Sequence, residues 1–177
     1  METDTKTNYQ REVQKMSQKQ VYRHYGANNL DRTFKYKAHA LRYKPSGLWS
    51  SPIQSEYYTW KEFCENEDFH VETLNRHFDF CVKENAKILE VRDIQDILPY
   101  LCNDEEYEIE YKMFQHLYST DPTAGRHLNL SKLYSEYDGM EVFMSPMLHH
   151  STMFYSWDVD SLVVWNLEII ELNTKCS

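Results

Sequence analysis

Glycine is scarce in this chain, with four among 177 residues. So few glycines leave little room for the loops that cradle phosphates with bare backbone, and neither GxGxxG nor GxxxxGK[ST] occurs. HExxH and GxSxG are missing as well. Dinucleotide-binding dehydrogenases of the doubly wound type, P-loop enzymes, zincins and standard α/β-hydrolases are thereby set aside. No run of 18 apolar residues exists, so no helix is expected to span a membrane. The opening METDTKTNYQ has no apolar stretch behind it and does not read as a secretory signal. The four cysteines, Cys64, Cys81, Cys102 and Cys176, show no short paired spacing and read as free thiols of a cytoplasmic protein.

The apolar fraction is 41% and the aromatic fraction 15%, above what a disordered chain carries. At roughly 150 residues per domain the length fits one domain. A polar N-terminal segment over 1–20 is expected to precede a single α+β domain over 21–177. The formal net charge is −9, so the phosphate backbone of nucleic acid repels the chain and bulk nucleic-acid binding is not expected. The basic residues gather between Arg11 and Lys44. A small anion would sit there, in a cleft locally more positive than the whole.

Several short strands are separated by short helices. Val21–Tyr25 ends at the turn Gly26-Ala27-Asn28-Asn29. A strand is expected near Ala38–Tyr43, and another at Leu48–Ser51 after the turn Lys44-Pro45-Ser46-Gly47. Thr59 and Glu62 have capping-box spacing and predict a helix from Trp60 to about Asn66. Phe78–Val82 and Ala86–Val91 read as a hairpin joined by Lys83-Glu84-Asn85. Asp93 opens a helix that places Ile94, Ile97, Leu98 and Leu101 on one face. Further helices are expected over 103–118 and from Leu130 to Tyr137. Strands follow at Met140–Phe143 and Ser161–Trp165. Regular strand–helix–strand units are absent, which predicts an α+β domain of two packed, mainly antiparallel sheets with peripheral helices.

Cys64, His70, His77 and Cys81 form a chemically sound zinc set, but neither the cysteines nor the histidines are closely spaced, so no metal is expected. Glu141 alternates against Met140 and Val142, which turns it away from whatever layer those two bury in, toward solvent or a cleft. Gly139 before it reads as the residue that lets the backbone turn sharply.

Taken in order, the segments Val21-Tyr22-Arg23-His24-Tyr25-Gly26, Gly47-Leu48-Trp49-Ser50-Ser51, Tyr137-Asp138-Gly139-Met140-Glu141-Val142 and Leu162–Ile170 resemble the ADP-ribosyltransferase superfamily, in its histidine-type branch. The stretch also looks like small uncharacterised bacterial and phage proteins with "KPxGLWxS" and "YDGIEV" segments. Two departures stand out: one extra residue precedes His24, and Leu167 stands where proline is typical. The resemblance implies cleavage of the nicotinamide–ribose bond of NAD, with ADP-ribose passed to an acceptor it does not name. It implies Glu141 as the carboxylate that stabilises an oxocarbenium-like ribose. His24 would bind a ribose hydroxyl, and Arg23, Arg42 or Lys44 the pyrophosphate. Ser50 or Ser51 would hydrogen-bond the nicotinamide ribose or orient Glu141, and Trp49, Tyr57, Tyr58 or Trp60 would pack on the nicotinamide ring. NAD is then a substrate, and no metal is needed. Other functions stay open: a non-catalytic binding or inhibitory protein of phage–host type, which 14 tyrosines would suit, an NAD glycohydrolase, or an RNA 2′-phosphotransferase.

Overall fold

The computed structural model describes residues 19–34, 44–55, 57–103, 112–113, 116–118 and 120–172. The expected strand at Ala38–Tyr43, and most of the expected helix over 103–118, lie outside them.

Among the described residues seven strands make one sheet: β1 (Tyr22–Tyr25), β2 (Leu48–Pro52), β3 (His77–Val82), β4 (Ile88–Val91), β7 (Gly139–Val142), β8 (Ser161–Val164) and β9 (Ile170–Leu172), in the order β4-β7-β8-β2-β1-β3-β9. Neighbours are antiparallel except β4 and β7, which run parallel. A separate two-stranded ladder pairs β5 (Leu101–Cys102) with β6 (His127–Leu128). The helices are short and peripheral: α1 (Trp60–Glu67), α2 (Ile94–Ile97), α3 (Leu130–Glu136) and α4 (Pro146–His149). The fold is therefore α+β, and the described residues form one large mixed sheet and a two-stranded ladder where two packed sheets were expected.

The hairpin expected of Phe78–Val82 and Ala86–Val91 does not form. β3 pairs with β1 and β9, while β4 pairs with β7, some fifty residues downstream in the register Ile88↔Gly139 to Val91↔Val142. The reason lies in the side chains. Phe78, Phe80 and Ile170 bury in one apolar layer, Leu89, Val91, Met140 and Val142 in another, so each strand joins the partner whose apolar residues share its layer.

Both faces of the sheet are covered. On one, Met140, Val142, Val163, Leu133, Leu148 and Trp157 pack together with the half-buried Trp49. On the other, Tyr22, Leu48, Phe80, Leu162, Val164 and Ile170 form a second layer. Burial on both sides explains why β8 reads as an unbroken apolar run without alternation.

Local chemistry sets the element ends. Thr59 Oγ1 accepts the Glu62 N–H, and a Glu62 carboxylate oxygen accepts the Thr59 N–H at 2.8 Å, closing the capping box that starts α1. Asp93 caps α2 in the same manner with Asp96. That helix stops after one turn: Pro99 falls in the 3₁₀ turn Leu98–Tyr100, and the chain leaves as β5 at Leu101. Gly139 does not serve a sharp turn. A Cβ there would lie 2.8 Å from the Val163 carbonyl oxygen and 3.0 Å from Ile88 Cδ1, so glycine is required because strands approach closely. Gly47 is confined likewise: a Cβ there would lie 2.7 Å from both Val163 Cγ2 and the Val164 oxygen.

Candidate functional site

The sheet opens at its middle. β1 and β2 pair only at Tyr22↔Pro52 and Arg23↔Ser51. Beyond that point β1 continues along β3 to Tyr25↔His77, while β2 continues along β8 to Leu48↔Val164. A cleft of about 500 Å³ lies at this fork, with His24, Lys44, Trp49, Trp60, Trp157 and Asp158 in its wall. That volume is within the range of small-molecule sites. α1 brings Trp60 to the wall because its first N–H is held by Ser51 Oγ at 3.0 Å.

His24 spans the fork. Its Nδ1 is 2.7 Å from the carbonyl oxygen of Trp49, which can only accept. Nδ1 therefore carries the hydrogen, and Nε2 is left as a bare acceptor. Burial lowers the His24 pKa, a shift only partly opposed by the bond to Trp49, so the ring is held neutral at physiological pH. Phe78 packs against the ring at 5.2 Å between centroids.

Lys44 is the cation of the cleft. Its Nζ lies 5.2 Å from the Trp49 ring centroid and 5.8 Å from that of Trp157, within cation–π range. Desolvation lowers its pKa, and the charge of Asp158 acts in the opposite direction. Asp158 is the single carboxylate among the described lining residues. Arg23 also lines the cleft, yet its guanidinium is committed to Asp79, with Nε–Oδ1 at 2.6 Å and Nη2–Oδ2 at 2.8 Å. That bidentate pair raises the Arg23 pKa and fixes its fork against β3. Ser50 reaches the wall, although its hydroxyl donates to the Leu162 carbonyl at 3.0 Å.

The structure thus brings together His24, Arg23, Trp49 and Ser50 of the residues singled out from sequence. It does not bring Glu141 or Tyr58 to them. Tyr58 accepts the Asp160 N–H through its backbone oxygen and meets Asn66 through its hydroxyl, outside the cleft wall. Glu141 turns to the opposite face of the sheet from Trp49, as its alternation with Met140 and Val142 requires, but that face is covered. It is 7% exposed and accepts the Tyr22 hydroxyl hydrogen at 2.8 Å. Burial pushes its pKa up to about 7, with the Tyr22 bond opposing and the Glu90 charge assisting. The burial and the Glu141 charge together raise the Tyr22 hydroxyl's pKa far above its ordinary value.

No protein-family model, curated protein or solved structure matches the chain.

Lys44 stood among three candidate cations, and Asp158 was missed. Its one sequence signal is its position behind Trp157, just ahead of the apolar run that becomes β8. Among the described residues no group of three or more His, Cys, Asp or Glu is placed to hold a metal ion. Cys64 and Cys102 are in no disulfide. Cys81 is disulfide-bonded, which corrects the expectation of a free thiol at that position. Among the described residues no helix is long and apolar enough to cross a membrane.

Proposed function

We propose that the chain is an ADP-ribosyltransferase-like enzyme that binds NAD at the fork between β1 and β2. The observation that carries this reading is the meeting, in one cleft, of a neutral histidine with a bare Nε2, an ammonium over two indole rings and one carboxylate. Nε2 of His24 suits a ribose hydroxyl as donor. Lys44 suits the pyrophosphate, and the half-buried Trp49 and Trp60 offer apolar faces to the rings of the dinucleotide. In the reaction the ribose–nitrogen bond breaks and nicotinamide leaves with the electron pair. An oxocarbenium-like ribose is left for the acceptor's nucleophilic atom to attack. The carboxylate available to that positive charge is Asp158, which takes over in this proposal the role that sequence order had given Glu141.

Nicotinamide release from NAD, together with calorimetry, tests the reading. Wild type is expected to bind NAD and release nicotinamide. Asp158→Asn is expected to lose on the order of 10²-fold in turnover with affinity little changed, as befits a contact made in the transition state. Failure of wild type to bind NAD at millimolar concentration overturns the proposal.

A second reading is a binding module without catalysis. It is favoured by the exposed apolar residues Tyr155 at 84%, Met147 at 57% and Tyr57 at 42% on the surface. NAD binding without nicotinamide release, with any acceptor, decides for it.

A further inference from the structure

A second cavity, of about 300 Å³, lies on the face of the sheet opposite Trp49 and takes in Glu141, Tyr22, Glu90, Val82, Ala86 and Ile88. The proposed NAD chemistry makes no use of it. Glu141 is more than nine-tenths buried, and its described hydrogen bond, from Tyr22, is to Oε1 alone. No fully buried side-chain oxygen or nitrogen among the described residues lacks a partner. The unbonded Oε2 of Glu141 is therefore reached from the cavity that the residue lines.

A carboxyl group that is largely buried, with one oxygen open to a small cavity, offers a hydrogen-bond acceptor to a ligand that enters it. Lys19, on the rim, is engaged with Glu171 at 2.8 Å and does not fill that role. At the cavity's edge Glu84 and Glu90 add two negative charges against the one positive charge of Lys83, and Val82, Ala86 and Ile88 supply an apolar wall. The combination of an anionic end with an aliphatic wall selects a ligand with an N–H-bearing cation on a short hydrocarbon body. We propose that this cavity is a binding site for a small primary alkylammonium, with its N–H groups donated to Oε2 of Glu141 and its alkyl part laid against Val82, Ala86 and Ile88.

The groups that set the charge state of Glu141 are Tyr22 on β1, Glu90 and Arg92 on and just after β4, and Asp160 ahead of β8. Lys19, Lys83 and Glu84 stand at the rim. With a pKa of about 7, Glu141 is largely protonated at pH 6 and largely ionised at pH 8. A cation must displace that proton, so affinity for it falls about tenfold from pH 8 to pH 6, with proton uptake by buffer on binding at the lower pH.

The experiment is calorimetry of the full chain at pH 8 and pH 6 with ethylammonium, n-butylammonium and tetramethylammonium chlorides. The last carries the charge without an N–H. Expected are saturable binding of the two primary ammoniums, tighter at pH 8 by about tenfold, and no binding of tetramethylammonium. Glu141→Gln keeps an acceptor for Tyr22 and removes the charge, and is expected to weaken binding at least tenfold. Ala86→Phe fills the cavity while leaving Glu141 in place, and is expected to do the same. Absence of binding by either primary ammonium overturns the proposal. So does equal binding of tetramethylammonium, or unchanged binding in folded Glu141→Gln or Ala86→Phe protein. Because the cavity shares no lining residue with the NAD cleft, its ligand binding is read separately from NAD binding.

Discussion

His24 Nδ1 and the Trp49 carbonyl oxygen, 2.7 Å apart, are the link that spans the fork between β1 and β2. The contact decides the tautomer of the histidine and, with it, what the cleft presents to a ligand. Nitrogen-15 NMR at pH 7 is expected to show hydrogen on Nδ1 and none on Nε2. The ring's pKa is expected below the ordinary 6.5, because burial disfavours its charge. The unfolded chain then takes up this proton before the folded one does. The stability that the neutral ring contributes is present above pH 6.5 and is lost as pH falls from there through the folded value. His24→Gln is expected to flatten that part of the stability curve. A measured pKa at or above 6.5 contradicts this account.

Glu141 behaves in the opposite sense. Its folded pKa, about 7, stands above the ordinary carboxyl value of 4.5. Between those pH values the folded chain holds a proton that the unfolded chain has released. Stability therefore declines as pH rises from about 4.5 to 7 and is level beyond. Moving a carboxyl over that interval corresponds to about 3 kcal/mol. Urea unfolding of wild type and Glu141→Gln over pH 4.5–8 checks this. The variant is expected to gain on wild type steadily up to pH 7, and a pH-independent difference would refute the burial argument.

Gly47 admits no side chain. The Cβ of Gly47→Ala would meet Val163 Cγ2 and the Val164 oxygen at 2.7 Å each, and one of the two is backbone that cannot swing aside. A loss of about 1–3 kcal/mol is expected. β2 should shift from β8, carrying Trp49 with it, so tryptophan fluorescence should change along with the denaturation midpoint. A Gly47→Ala protein with the wild-type midpoint contradicts the close approach.

Asp138 ties three segments. Its carboxylate accepts the Lys87 N–H at 2.9 Å and the Asn166 side-chain amide at 2.6 Å, and its carbonyl accepts the N–H groups of Trp165 and Asn166. Asp138→Ala removes the two carboxylate bonds and is expected to cost about 1–3 kcal/mol. Native-state hydrogen exchange at Lys87 should speed up at the same time. Unchanged exchange there would mean that the carboxylate does not hold β4 against β7.

Features that depend on neighbours in sequence were legible from it. The Thr59–Glu62 box, the turn at Gly26 and the strand at Leu162–Val164 follow from spacing and propensity alone. The alternation of Glu141 against Met140 and Val142 was legible too. Its destination was not, because alternation states which residues share a face and not what covers it. Here Tyr22 and the second apolar layer cover it. The hairpin expected from Lys83-Glu84-Asn85 failed for a related reason: proximity in sequence favours β3 beside β4, but shared apolar layers favour β4 beside β7. His24 and Trp49 were found through their short motifs. Asp158 carries no motif, and its place in the cleft wall depends on the segment ahead of β8, where Asp160 holds the Met144 N–H and the Ser55 hydroxyl.

The order of strands across the sheet also bears on how the chain is assembled as it is synthesised. β8 sits between β7 and β2, so the middle of the sheet closes only when residues 161–164 have been made. Until then Leu48–Ser50 and Met140–Val142 each present an unpaired edge, rich in apolar side chains, to any other strand nearby. A nascent chain arrested before Ser161 should be prone to self-association, and the pairing of β8 with β2 and β7 should be the step that ends that vulnerability.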